Sequence, residues 1–261
     1  MQGSLAMQLA FNDAGHGCDV LGLKPSWVAA SVRLLEPFYR HYFRVTSHGP
    51  RVPARGACLL AANHSGTLPI DAAMLYLDVF RHNDPPRIPR VVADVFVPRM
   101  PFFGTLFART GAVAGTPANL RHLLETGELV VVFPEGAPAI GKPFRERYHL
   151  QAWRVGHAEL AIRHRVPVIP VAIVGAEEQW PQLARLEVQL LGAPYVPIPA
   201  TPLPLPVHYH LHYGEPMALF EGTRPEDADD PGVVGRAAAR VKEAVAELLA
   251  RGLRERAGVF R

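Results

Sequence analysis

In AANHSGTLPID, residues 61–71, a histidine and an aspartate stand seven positions apart. An imidazole held by a carboxylate on its far nitrogen can take a proton from a hydroxyl near neutral pH. Pro69 suits the first turn of a helix, which would place Asp71 in that turn, able to fold back towards His64. The same residues also read as a helix-end charge and a loop histidine, because an acidic residue near a helix N-terminus is favourable by itself. The stretch alone leaves both readings open.

A second polar group follows the apolar run LVVVF. There FPEG, residues 133–136, puts the Glu135 carboxylate at a strand's carboxyl end, and Gly136 permits close backbone approach. An ordinary strand-to-loop turn has the same composition. Downstream, Lys142, Arg145 and Arg147 form a local basic group able to hold a phosphate or simply to face solvent. His208, His210 and His212 alternate along one face of a strand, a spacing that zinc could use, but no cysteine or carboxylate accompanies them and no metal site is expected. NHSGT holds a serine without the G-x-S-x-G turn of a hydrolase nucleophile.

The elements that must position these groups follow from periodicity. Strands are expected at FRVTSHG, 57–63, 90–94, 111–114, 129–133, 166–175 and within VHYHLHYGEP, with helices near 69–81, before Arg109, at 117–126 and at 150–164. This alternation gives an α/β fold, a central largely parallel or mixed sheet flanked by helices. A closing helix, 231–254, carries Val234, Ala238, Val241, Val245, Leu248 and Leu249 along one core-facing stripe. Residues 1–24 read as loose. From Trp27 to Phe43 a helix gathers Trp27, Val28, Leu34, Leu35, Phe38 and Tyr42 on one side and Arg33, Glu36 and Arg40 on the other, with Pro37 kinking or dividing it. We therefore divide the chain into an N-terminal segment, 1–44, with an amphipathic membrane-associating helix, and a main domain, 45–261. The proline-rich APYVPIPATPLPLP is expected to be a stiff extended connection.

Composition narrows the classes. In 261 residues, 49% are apolar and 20% charged, which suits a globular chain with a large core. Two cysteines make no disulfide framework, and a reducing compartment is expected. No secretory leader and no membrane-spanning run are read. The net charge of +3 is spread along the chain, so no nucleic-acid partner is expected.

In order, NHSGTLPID, FFGTLFARTGAVAG, VVVFPEG and VPVIPVAIVG resemble the four blocks of the glycerolipid acyltransferase family, the 1-acyl-glycerol-3-phosphate (lysophospholipid) acyltransferases, over about residues 40–216. The resemblance implies a glycerol-3-phosphate acyltransferase-like fold and a His–Asp pair, His64 and Asp71, for catalysis. It implies an acceptor site to which Glu135 and Gly136 contribute, with Lys142, Arg145 and Arg147 as further substrate-binding candidates. It further implies an acyl-CoA or acyl carrier protein donor, a lysolipid acceptor, no cofactor, and a peripheral position on the cytoplasmic face of a membrane. Two departures stand out. The family spaces its pair His-x4-Asp, whereas six residues separate His64 from Asp71, and GAVAGTP lacks the arginine the family commonly carries there for substrate phosphate. The alternatives are a hydrolase using the same histidine on water and a lipid- or acyl-CoA-binding protein without turnover.

Overall fold

The computed structural model describes residues 9, 11–65, 68–94, 96–97, 100–136, 139, 141–186 and 196–261. Seven strands form one sheet: β1 (Thr46–His48), β2 (Cys58–Ala62), β3 (Arg90–Ala93), β4 (Val113–Ala114), β5 (Leu129–Val132), β6 (Val168–Val174) and β9 (His210–Tyr213). Their order is β1-β9-β6-β2-β5-β3-β4, and every neighbouring pair is parallel except β6 with β9. The expected largely parallel α/β sheet is thus observed.

The strands β2 and β6 are buried along their whole length, as central strands covered on both faces must be. Alternation sorts β2 between two cores. Cys58, Leu60 and Ala62 join one cluster, with Val28 and Val32 of α1 (Pro25–Pro37) and Met74, Leu75 and Leu77 of α2 (Ile70–Arg81). Leu59 and Ala61 join the other, with α4 (Pro117–Glu125), α5 (Gly156–His164) and α7 (Pro231–Glu255). Pro170 sits inside β6 without breaking it. Its carbonyl accepts from the Gly214 N–H at 2.9 Å, so its N–H-less side faces the strand end beyond Tyr213 and β2 loses no ladder bond. All six stripe residues expected of the closing helix are buried on α7.

Three expectations change. Residues 11–24 are not loose, since the Arg90 guanidinium donates to Asp19 at 2.6 Å in the interior and Asp19 also accepts the Leu23 N–H at 2.8 Å. The proline-rich segment contributes β8 (Val196–Pro199), antiparallel to β7 (Gln182–Leu186), in a separate two-stranded ribbon. Prolines lack a donor yet are tolerated on a ribbon with an open edge, which composition alone does not reveal. The apolar stripe of the N-terminal helix is split: Val28 and Leu35 pack inward while Trp27, Leu34 and Phe38 stay exposed. At Pro37 the α-helix ends and a π-helical turn, Phe38–Tyr42, continues it. Two short elements complete the fold, α3 (Phe103–Thr110), which buries none of its side chains, and α6 (Ala176–Gln179).

Candidate active site

The carboxyl ends of β2, β5 and β6 converge, and three consecutive residues after β2 are each fixed by a different neighbour. Asn63, fully buried, donates its amide to the Ile173 carbonyl at 3.1 Å and accepts the Ile173 N–H at 2.7 Å, extending β2 towards β6 by one side chain. The His64 N–H donates to Glu135 Oε1 at 3.2 Å, across to the end of β5. The Ser65 N–H donates to Asp71 Oδ2 at 2.8 Å.

Asp71 Oδ2 lies 2.6 Å from His64 Nδ1, and Asp71 Oδ1 accepts the Ala72 N–H at 2.7 Å. The carboxylate accepts only, so Nδ1 carries the proton and Nε2 carries the lone pair. Among the described residues none engages Nε2. The six intervening residues therefore do not keep the pair apart. Phe133 lies against the imidazole, ring centroids 4.4 Å apart. Burial of His64 pushes its pKa down, but the charge and hydrogen bond of Asp71, with the charges of Glu135 and Glu177, outweigh that and raise it above the ordinary imidazole value.

Glu135 is buried, and its second oxygen accepts the Gln151 N–H at 2.6 Å. Gly136, at φ 61°, adopts a left-handed backbone, and a Cβ there would lie 3.2 Å from the Arg154 guanidinium carbon. The basic candidates diverge. Lys142 is buried, its ammonium 2.9 Å from Glu177 and donating to the His149 carbonyl at 3.0 Å. Arg145 points outward, its side chain 83% exposed, with Glu146 at 3.7 Å. Arg147 lies over the Phe144 ring and 3.9 Å from Glu178. Together with Ser65, Glu177 and Trp180, Lys142 and Arg147 line a cleft. Burial raises the Glu177 carboxyl to about 7, opposed by Lys142 and aided by Glu135. The histidines lie elsewhere, His210 and His212 on β9 against His48 and His208 just before it on His210, and among the described residues no group of three or more His, Cys, Asp or Glu is placed to hold a metal ion.

The family model for acyltransferases matches residues 44–174, half of the chain and all the site residues from His64 to Arg154. The chain belongs to the acyltransferase family. This acyltransferase is 36% identical over 258 residues to the uncharacterised protein Rv0502 of Mycobacterium tuberculosis, covering 94% of this chain and 72% of that one. It is 33% identical over 127 residues to the human DGAT1/2-independent enzyme synthesizing storage lipids, covering 48% of this chain and 38% of that protein. In fold it is similar to the 1-acyl-sn-glycerophosphate acyltransferase PlsC of Thermotoga maritima, with a TM-score of 0.58 at 16% identity, covering 89% of this chain and 83% of that one.

In this acyltransferase the sequence did not mark Asn63, Glu177 or Arg154, and it offered Ser65 only as a serine outside a nucleophile turn. Asn63 follows a fully apolar strand, and a polar residue there had to be spent on a neighbouring strand or on a ligand. Ser65 is buried, its hydroxyl has no hydrogen-bond partner among the described residues, and it lines the cleft.

Proposed function

We propose that this acyltransferase moves an acyl group from a thioester, acyl-CoA or acyl carrier protein, to a hydroxyl of a lysophospholipid or related glycerolipid. The observation that carries the reading is the 2.6 Å contact of His64 Nδ1 with Asp71, which leaves Nε2 as the base. Nε2 accepts the acceptor's hydroxyl proton as the oxygen attacks the thioester carbonyl carbon. Asp71 stabilises the imidazolium, the tetrahedral intermediate carries the negative charge on the carbonyl oxygen, and the C–S bond breaks. The departing thiolate takes that proton from Nε2 and leaves as the thiol, so the enzyme ends as it began. General base catalysis contributes about 10²–10⁴-fold. Positioning and oxyanion stabilisation supply the rest, and we assign to that oxyanion the Ser65 hydroxyl, which lines the cleft and finds no partner among the described residues.

Glu135 and Gly136 shape the acceptor side of this site, Glu135 by holding the His64 backbone and Gly136 by letting the Arg154 side chain lie over it. A cavity of about 190 Å³ between β3, β4 and α3, lined by Leu21, Val97, Phe107 and Val113 among others, suits part of an acyl chain. The exposed apolar row of Trp27 and Leu34 on α1 with Phe38 of the following π-helical turn supports a peripheral seat on a lipid surface, which we assign to the cytoplasmic face. No helix among the described residues is long and apolar enough to cross a membrane.

The test is incubation with radiolabelled acyl-CoA with and without a panel of lysophospholipids and glycerides. Acylated lipid formed only with an acceptor present supports transfer. Free fatty acid with every acceptor would make the chain a hydrolase, and binding of both substrates without product would make it a lipid-binding protein.

A further inference from the structure

Basic side chains near His64 differ in how far their charge is already engaged. Lys142 is buried against Glu177, and Arg145 faces solvent beside Glu146. Arg154 differs from both. Its N–H donates to the Pro134 carbonyl at 2.9 Å, and its carbonyl accepts from His157 Nδ1 at 3.0 Å, so the backbone is held on both sides. The side chain rises over Gly136, whose missing Cβ provides the seat, since an added methyl would lie 3.3 Å from Nη2. Asp94 steadies one edge loosely, at 3.9 Å, and the side chain remains 69% exposed.

The position ties Arg154 to the reacting groups. One turn, Phe133–Gly136, packs Phe133 on the His64 ring, bonds Glu135 to the His64 N–H and carries the guanidinium on its last residue. Asp94 continues β3, and the Ala93 carbonyl accepts the Gly115 N–H at 3.1 Å. The guanidinium therefore stands at the carboxyl edge of β5 and β3, where open parallel sheets bind ligands, beside the GAVAGTP block that carries no cation of its own. A planar guanidinium presents paired N–H donors that match two oxygens of a phosphate.

We propose that Arg154, seated on Gly136, binds a phosphate group of one of the two substrates of the reaction. This rests on the acyl-transfer reading and assigns a specificity residue to it. CoA and a phosphorylated acceptor both carry such a group, and separate arms of one experiment tell them apart.

The experiment compares kcat/KM of the parent, Arg154→Ala and Arg154→Lys with palmitoyl-CoA against palmitoyl-N-acetylcysteamine, and with lysophosphatidic acid against monoacylglycerol. Arg154→Ala should lose about 10–100-fold with the phosphate-bearing member of one pair and stay within about twofold with its phosphate-free counterpart. Arg154→Lys should keep part of that preference. Loss confined to the donor pair assigns the phosphate to CoA, and loss confined to the acceptor pair assigns it to the acceptor. Equal loss with all substrates, or none, overturns the proposal. Should the parent turn over no pair, the acyl-transfer reading fails by itself. Calorimetric titration of CoA and of lysophosphatidic acid into parent and Arg154→Ala then decides: at least about tenfold weaker binding of one ligand to the variant upholds the phosphate site, and unchanged affinity for both removes it.

Discussion

One oxygen of Asp71 serves both the ring of His64, at 2.6 Å, and the backbone N–H of Ser65, at 2.8 Å. The carboxylate thus orients the imidazole and fixes the turn that carries it. His64→Ala should reduce transfer to background in a folded protein. Asp71→Asn should lower kcat steeply while also loosening the turn, because one amide group replaces an oxygen that accepts two donors. The raised imidazole pKa gives the pH profile its sign: activity needs neutral His64, so kcat/KM should rise with pH through a midpoint above the usual value of about 6.5. The stability contributed by the ion pair runs the opposite way, complete below about 6.5 and lost as pH rises through the raised value. A His64→Ala protein that keeps near-parent turnover would remove the pair from the mechanism.

Ser65 makes a sharper test of the oxyanion assignment. Its hydroxyl is buried and has no partner among the described residues, so Ser65→Ala removes no hydrogen bond among them and the melting temperature should hold or rise slightly. If that hydroxyl donates to the oxyanion, kcat should fall about 10²–10³-fold with KM nearly constant. A variant with parent kcat shows that the oxyanion is stabilised by other donors.

Glu135 accepts the His64 N–H at 3.2 Å and the Gln151 N–H at 2.6 Å with its two oxygens. A glutamine can satisfy only one of them and turns an NH2 towards the other. Glu135→Gln should therefore lower the melting temperature and kcat together, by about 1–3 kcal/mol for the buried mismatch. A change confined to acceptor KM, with full stability, would point instead to direct contact with the acceptor.

Much of this arrangement was legible. His64 and Asp71 are close in sequence and of informative types, and a fully apolar strand bounded by turn residues located both β2 and β6. The roles of Glu135 and Arg154 were not legible. Glu135 acts through a backbone N–H 71 residues away, a contact that leaves no mark on residue type. Arg154, between Trp153 and Val155, looks like any surface arginine until the fold sets it on Gly136. Periodicity found the apolar arc of α1 but not its division, because periodicity says which side chains share a face and nothing about how much of that face the core can cover.

That division yields the lipid-surface prediction. Trp27 and Leu34 on α1 and Phe38 at the start of the π-helical turn are exposed, and Phe102, 90% exposed at φ 63°, precedes α3. The two helices are joined where the Lys24 N–H donates to the Arg109 carbonyl at 3.0 Å, and exposed Arg33 and Arg40 flank the α1 row. Trp27→Ala with Phe38→Asp, and separately Phe102→Asp, should each weaken binding to anionic liposomes by about tenfold, roughly 1.4 kcal/mol. Thermal stability should change little for Phe102→Asp, whose side chain is almost fully exposed. It should fall more for the α1 pair, because Trp27 and Phe38 bury part of their surface and Phe38 packs edge-on against Tyr42. Unaltered liposome binding in both variants would place the lipid contact on another face.

The histidines set apart from the site should contribute to acid stability. His208 stacks on His210 with ring centroids 4.2 Å apart, and His48 stacks on His212 at 4.4 Å. The Nε2 atoms of His210 and His212 are buried without partners among the described residues. Burial, then neighbouring His208, His48, His212 and Arg256, push His210 down to about 4. Burial and His48 do the same to His212, with Glu255 pulling up and Arg251 pushing down. Both rings are therefore neutral in the folded chain while the unfolded chain protonates near 6.5. The stability they retain is complete above about 6.5 and is lost as pH falls from there towards about 4. Glu177, raised to about 7, acts in the opposite sense over part of that range, so the comparison must be made between variants and not along one curve. His210→Leu should show a smaller drop in melting temperature between pH 7 and pH 5 than the parent. The difference should be about 2–4 °C, the response of a chain this size to roughly 1 kcal/mol once solvent screening is allowed for. Its turnover at pH 7 should match the parent, since the stack lies apart from His64. Parallel pH–stability curves for the two proteins would show that the histidine stack is protonated in the fold without cost.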